Sequence, residues 1–532
     1  MKHKGLTLSM ILLLGGLLSA CGSSAASHHQ SLSVTLPDEP ATVDPNTSYD
    51  TNSGSVIQQT YEGLYTYDKN NRLVPGVATK IVKPTNGGKT YTFHLKKNAK
   101  WSNGQPVTAQ DFVTSFTRTV NPKTKAQFAS VYSAFKNFSA VQAGKMAPNK
   151  LGVKALNSKT LQITLSRPVP YFNGLVANQY LPINTQAVKK YGKQFGTNSK
   201  TAVYNGPYKL VGWTGSNSAW KYVKNPYYWN NHNVKIPTVN VTLAKDQNTS
   251  VNLFKGGKVD VTSVTGQYVK QNKNDSQLHT HLIGRENYLY FNSQKSATNS
   301  LDLRQAMSAV IDRKELVTNV LQDGSKPMLN AVPQGDQKNP ATGQDMAQDV
   351  GNLLPYNVNK AKQYWQAYQK ATGKKKVTLN LLTDDTDQDK HVGEYIQAAA
   401  EKAFNGLKVT VTSIPHAQHV ARDFAGNFEM NLTGWSTNWL DSSDFLGLSQ
   451  LSNQVNFTHL RDNKLDTLMN ESNQLSGQDR YQKLVAADKQ LVANKDLVPL
   501  YQPAQANLVN KKVGGLKYSL LHDAQYQYAY WK

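Results

Sequence analysis

The sequence predicts a mixed α/β protein of more than one structural unit. Short runs rich in β-branched residues alternate with amphipathic helical runs, no internal repeat recurs, and 532 residues exceed one small domain at roughly 100–200 residues each. Strand-like runs cover residues 33–36, 90–95, 161–165, 238–243, 377–382 and 409–412. Leu303, Ala306, Met307, Val310 and Ile311 recur at i, i+3, i+4, i+7 and i+8, the spacing of one helical face. The pattern returns in Val392, Ile396, Ala399, Ala403 and Phe404, with Gly406 placed as a C-terminal stop, and again in Tyr481, Leu484, Val485, Leu491 and Val492. These stripes read as core faces. No Pro/Gly linker divides the chain cleanly, so its domains are expected to be discontinuous.

Composition removes several classes. The 59 Lys and Arg against 35 Asp and Glu give a formal charge of +24, yet charged residues make up only 18%, below the usual ~25%. The basic excess therefore comes from a shortage of acids, and a net positive charge of this size suits an anionic surface or nucleic acid. Hydrophobic residues at 39%, with 27 Tyr and 8 Trp, suffice for large cores. A single Cys excludes a disulfide framework, thiolate zinc sites and Cys-x-x-Cys redox chemistry. No window supplies the ~20 apolar residues of a membrane-spanning helix.

The amino terminus carries an address. Lys2 and Lys4 precede an apolar stretch over residues 6–18, which as a helix would span only about 20 Å of a ~30 Å hydrocarbon core. That is the pattern of a secretory signal peptide. It runs into Leu18-Ser19-Ala20-Cys21-Gly22, which resembles a bacterial lipobox, so residues 1–20 are expected to be removed and Cys21 acylated. Residues 21–32, Ser- and Ala-rich with His28 and His29, read as a tether; two neighbouring imidazoles without a third ligand make a poor metal cage.

Catalytic and cofactor motifs fail on inspection. Gly88-Lys89-Thr90 lacks the first glycine of a phosphate loop, where Lys83 stands, and reads as a hairpin turn. Asp385-Thr386-Asp387-Gln388-Asp389 opens like a calcium loop but has Lys390 at the turn glycine and Ile396 at the closing glutamate. Neither Gly-x-Ser-x-Gly nor His-Glu-x-x-His occurs. No cofactor, no metal and no enzymatic activity are expected.

A different set of residues carries a positive signal. Glu39-Pro40-Ala41-Thr42-Val43-Asp44-Pro45, Tyr61-Glu62-Gly63-Leu64 and the long run from Trp101-Ser102-Asn103-Gly104 to Asp111-Phe112 stand in order. They are followed by Pro168-Val169-Pro170-Tyr171-Phe172, Asn205-Gly206-Pro207-Tyr208, Asn225-Pro226-Tyr227-Tyr228-Trp229, Leu303-Arg304-Gln305-Ala306, Gly434-Trp435 and Val498-Pro499-Leu500-Tyr501. In this set and order the chain resembles the extracytoplasmic solute-binding proteins of family 5, the oligopeptide-binding lipoproteins of ABC importers. Physically, Trp101 to Asp111 reads as a turn followed by a helix with Thr108 as N-cap, and Tyr208 and Tyr228 read as core.

The resemblance implies a two-lobe fold of the periplasmic-binding-protein type with an inserted domain and a hinge. Lobe I is expected to combine residues 33–65, 181–283 and 498–532, the inserted domain residues 66–180, and lobe II residues 284–497, with crossings near Ile283 and Leu497. The implied function is capture of an oligopeptide between the lobes and delivery to a permease and ATPase, by a monomer on the outer face of the cell membrane. In the relatives a Trp, and three residues later an Asp, reach the cleft, and that Asp holds the peptide's ammonium group. Here the matching residues are Trp435, after Gly434, and Asn438; Asp441 or Asp444 could supply the carboxylate from the same loop. Without one, discrimination for a free peptide N-terminus is expected to be weak. Glu39, Phe128 and Tyr288 also align with cleft-lining positions. Alternatives are a peptide-pheromone signalling receptor, a binder of a non-peptide solute and an envelope hydrolase on the same scaffold.

Overall fold

The computed structural model describes residues 31–532 apart from 49, 69, 454, 522 and 523. Cys21 and the tether lie outside the described residues. Alternation of buried valines with half-buried or exposed polar residues builds the strand Thr238–Leu243, and Val239 and Val241 are fully buried. It pairs in parallel with Ser31–Leu36, at the middle of a seven-stranded sheet. The order there is Leu278–Leu282, Ala504–Val509, Val261–Val264, Ser31–Leu36, Thr238–Leu243, Ala219–Lys224 and Tyr208–Val211. Segments far apart in sequence thus share one sheet.

A second large sheet has six strands. Its order is Lys326–Pro327, Leu497–Gln502, Arg285–Phe291, Met430–Ser436, Val377–Asp384 and Leu407–Ile414. The predicted helical stripes cover it. Helices Leu301–Val310 and Asp387–Ala403 pack on one face with Leu289, Phe291 and Leu379, and Gly477–Asn494 packs on the other with Tyr288 and Tyr290. Asp387 and Asp389, the would-be calcium ligands, sit instead in the first turn of Asp387–Ala403, where acids favour a helix N-terminus.

Inserted in sequence between Ser31–Leu36 and Tyr208–Val211 of the seven-stranded sheet is a three-stranded sheet, Thr90–His94, Thr160–Thr164 and Val153–Asn157, against helix Ala109–Thr119. The Trp101-to-Phe112 run is a structural knot. Trp101 is fully buried, its indole N–H donates to Asp111 Oδ2 at 3.0 Å, and the Thr108 main-chain N–H donates to the same oxygen at 2.9 Å. Tyr208 and Tyr228 are buried, and 86–89 form a turn into Thr90–His94.

The chain passes between the large sheets twice. The first passage follows Leu278–Leu282 at Ile283 and Gly284. The second falls at Pro503 rather than near Leu497, because the fully buried run Leu497–Gln502 pairs with Arg285–Phe291 and Lys326–Pro327 before Pro503 ends it. The passages are bonded together: Ile283 N–H donates to Pro503 O at 3.1 Å, and the Gln502 amide donates to Ile283 O at 3.0 Å. No helix among the described residues is long and apolar enough to cross a membrane.

Candidate binding site

Antiparallel pairing of Arg285–Phe291 with Met430–Ser436 sets two different faces at the edge of the cleft. Register places Glu286 opposite Trp435, and Arg285 opposite Ser436 with Asn287 opposite Gly434. Successive side chains alternate, so Glu286, Tyr288 and Trp435 share one face and Arg285, Asn287, Gly434 and Ser436 the other. Arg285 runs along its strand, Nε donating to Asn287 Oδ1 at 2.9 Å and Nη1 to Ser436 Oγ at 3.1 Å. Gly434 makes that possible: a Cβ there would lie 2.6 Å from both Arg285 Nη2 and Asn287 Oδ1.

On the other face the loop after Trp435 folds back on an acid. Asp444 is buried, and its carboxylate accepts the Asn438 main-chain N–H at 2.5 Å and the Trp435 indole N–H at 3.1 Å. Burial pushes its carboxyl up to about 6, against the pull of these donors. The loop is held from the inserted unit. Asn178 Nδ2 donates to Asn438 O at 3.0 Å, Gln179 Nε2 to the same oxygen at 3.3 Å, and Tyr171 stacks on Trp439 at 4.9 Å. Side chains from two parts of the chain therefore meet around Asn438.

The expected site residues fall into different places. Trp435, Asn438 and Gly434 meet at this strand end. Asp441 is engaged elsewhere: Arg480 grips both its oxygens at 2.7 Å and 2.7 Å, both side chains being nearly buried. Asp444, not Asp441, stands beside Asn438. Tyr288 is only 2% exposed and packs against Tyr290, ring centroids 4.5 Å apart and planes tilted by 53°, beneath helix Gly477–Asn494, so it belongs to the core rather than to an open wall. Glu39 is half-buried beyond the end of Ser31–Leu36, its N–H donating to Asp38 at 2.9 Å. Phe128, 52% exposed, precedes a short turn of helix over Ala129–Tyr132 in the inserted unit.

Sequence reasoning passed over Arg285, Glu286 and Asp336. The signal available was a charged pair opening an otherwise apolar strand, Arg285-Glu286 ahead of Tyr288-Leu289-Tyr290-Phe291. Burial pushes the Glu286 and Asp336 carboxyls well up, and the neighbouring acids add to it: Asp488, Asp336 and Asp444 around Glu286, and Asp441, Asp444 and Asp345 around Asp336.

Open space runs between the two large sheets. One cavity of about 560 Å³ is bounded by Thr35, Thr262 and Gln505 from the seven-stranded side and by Arg285, Ser436 and Gln388 from the six-stranded side. A second, of about 590 Å³, shares Thr265, Asp323 and Gln388 with it and adds Asn248 and Tyr268. Amides, hydroxyls and strand main chain are interspersed with apolar surface such as Leu36, Val261 and Ile283 in this lining, which suits hydrogen bonding to an extended ligand whose side chains vary.

These features define a two-lobe binding-protein fold, with cavities between the two sheets and a buried carboxylate, Asp444, on the loop after Trp435. The chain belongs to the bacterial extracellular solute-binding proteins, family 5, whose model matches residues 72–457. It is 30% identical to a dipeptide-binding protein of Lactococcus lactis subsp. cremoris over 97% of each chain. Among solved structures it superposes on Listeria monocytogenes OppA bound to peptide with a TM-score of 0.80 and 32% identity, covering 94% of this chain and 99% of the other. The pheromone receptor PrgZ matches with a TM-score of 0.81 and 31% identity over 94% and 99%.

Proposed function

We propose that this protein is a lipid-anchored, extracytoplasmic receptor that captures oligopeptides between its lobes and hands them to an ABC importer. The observation that carries the reading is Asp444, a buried carboxylate beside Asn438 and Trp435. In that position it supplies the negative charge that Asn438 lacks and faces the peptide's α-ammonium group through a charge-assisted hydrogen bond. The rest of the peptide lies along the polar cleft, bonded main chain to main chain as in strand addition, with water filling the space around varied side chains. In this reading the seven-stranded sheet is lobe I, residues 66–180 the inserted domain and the six-stranded sheet lobe II. The lobes turn about the Ile283 and Pro503 passages, and no chemistry on the ligand is required. Acylation of Cys21 holds the receptor at the membrane.

Likeness to relatives named for dipeptides and oligopeptides supports the ligand class. Native mass spectrometry of the purified protein tests it: co-purifying masses that fragment as peptides support the reading, and a non-peptide solute in the cleft overturns it. Likeness to PrgZ favours a second reading, a receptor for one signalling peptide. A single co-purifying sequence, rather than a family of peptides, distinguishes it.

A further inference from the structure

The Trp435 face holds more acid than one α-ammonium group needs. Glu286 is 0% exposed and Asp336 5%, and neither oxygen of either carboxylate has a hydrogen-bond partner among the described residues. Both lie within electrostatic range of each other and of Asp444. The hydroxyl near Asp336, Thr437 Oγ1, donates instead to the Trp439 carbonyl at 2.6 Å. Asp441 is neutralised by Arg480, but Glu286 and Asp336 have no such partner. Arg285, next to Glu286 in sequence, turns its guanidinium to the opposite face, onto Asn287 and Ser436.

Buried carboxylates without donors are costly and call for a completing cation. Two features select its kind. Register sets the Trp435 side chain directly across from Glu286, and an indole beside a carboxylate attracts an ammonium or guanidinium group. A hard metal ion wants six or more oxygens in a converging cage, and no group of three or more His, Cys, Asp or Glu among the described residues is arranged to hold one.

We propose that Glu286 and Asp336, with the indole of Trp435, form an anionic subsite that receives a basic side chain of the bound peptide, next to the α-ammonium position at Asp444. The substrate class is then peptides with a lysine or arginine at the amino-terminal end. This deepens the peptide-binding reading and rests on it. Specificity arises from the unfilled case: an apolar side chain leaves two buried acids without a hydrogen-bond partner, while a basic one supplies donors to both and one positive charge between them.

Calorimetric titration of the mature full-length protein tests the proposal. The probes are tetrapeptides that differ only in lysine or norleucine at the first or the second position. The parent should prefer lysine by about tenfold or more at one of these positions. Glu286→Gln with Asp336→Asn should reduce that preference below about threefold while norleucine peptides bind at least as tightly as before. Equal binding of both peptides by the parent, or a preference that survives both substitutions, overturns the subsite. Where the double variant fails to fold, either single variant and the parent's own comparison still decide. Peptide binding without a charge preference overturns the subsite alone; failure of every peptide to bind overturns the peptide-binding reading as well.

Discussion

The main-chain N–H of Asn438 donates to Asp444 Oδ2 across 2.5 Å, so a carboxylate stands beside the position where an amide replaces one. A hydrogen bond to a charged partner contributes about 1.5–3 kcal/mol, roughly ten- to a hundredfold in affinity. The parent should therefore favour a free peptide amine over its acetylated form by about that factor, and Asp444→Asn should lose most of it. Calorimetry with one peptide in both forms checks this. Equal affinity of the parent for both forms would return the weak discrimination that Asn438 alone predicts.

Acidification should move stability and affinity in opposite directions. Asp444 titrates near 6 in the folded protein against 3.8 for the ordinary group, because burial disfavours its charge. A carboxyl raised on folding binds its proton more firmly in the folded state. The ligand-free protein therefore gains stability from this group as pH falls through about 6 towards 4. Asp488 and Asp423, pushed up to about 7 and about 6 by burial, act in the same sense. Ammonium binding needs the ionised acid, so affinity for a free-amine peptide should fall over the same window. Melting temperatures and titrations across the range, on the parent and Asp444→Asn, separate this acid from the rest: its share of both slopes should vanish in the variant.

The Asp441–Arg480 pair should matter to stability more than to binding. Both hydrogen bonds are 2.7 Å long, and the two side chains are 11% and 8% exposed. Removing one partner leaves the other charge buried, at a cost of about 3–5 kcal/mol. Asp441→Ala and Arg480→Ala should each lower the unfolding free energy from denaturant titration by that much, and the double variant should lose well less than the sum of the two. Additive losses would show that the pair does not act as a unit.

Cys21→Ala should release the protein from membranes into the medium. One acyl chain gives only marginal attachment and two or more are needed for a stable anchor, so loss of the acceptor thiol removes both. Fractionation of cells checks it; a variant that sediments with membranes as firmly as the parent would refute anchoring at Cys21.

Patterns within a single element were legible in the chain, and patterns between elements were not. Periodicity located Leu301–Val310, Asp387–Ala403 and Gly477–Asn494, because burial imposes a 3.6-residue stripe whatever the helix packs against. The ordered motifs led to the right family. Which face Tyr288 occupies depends on its pairing with Thr433 and Pro499 and on the helix that covers that side. A shift of one position would turn it outward. The choice between Asp441 and Asp444 turned on Arg480, which lies 39 positions from Asp441 and carries no local mark. The second lobe passage was misplaced for a similar reason: a wholly buried strand such as Leu497–Gln502 does not reveal which sheet it joins.

The two bonded passages at Ile283 and Pro503 lie side by side, as the spine of a book lies between its covers. Turning about that line disturbs a few backbone torsions, whereas sliding along it would break both hydrogen bonds. Thr437 N–H donates to Gly284 O at 2.6 Å, so the loop that leads to Asp444 begins at the spine itself. Displacement on opening grows with distance from the spine and is smallest there. A peptide held by its amine at Asp444 would therefore come free from its far end first, and its amino terminus would be the last part to leave.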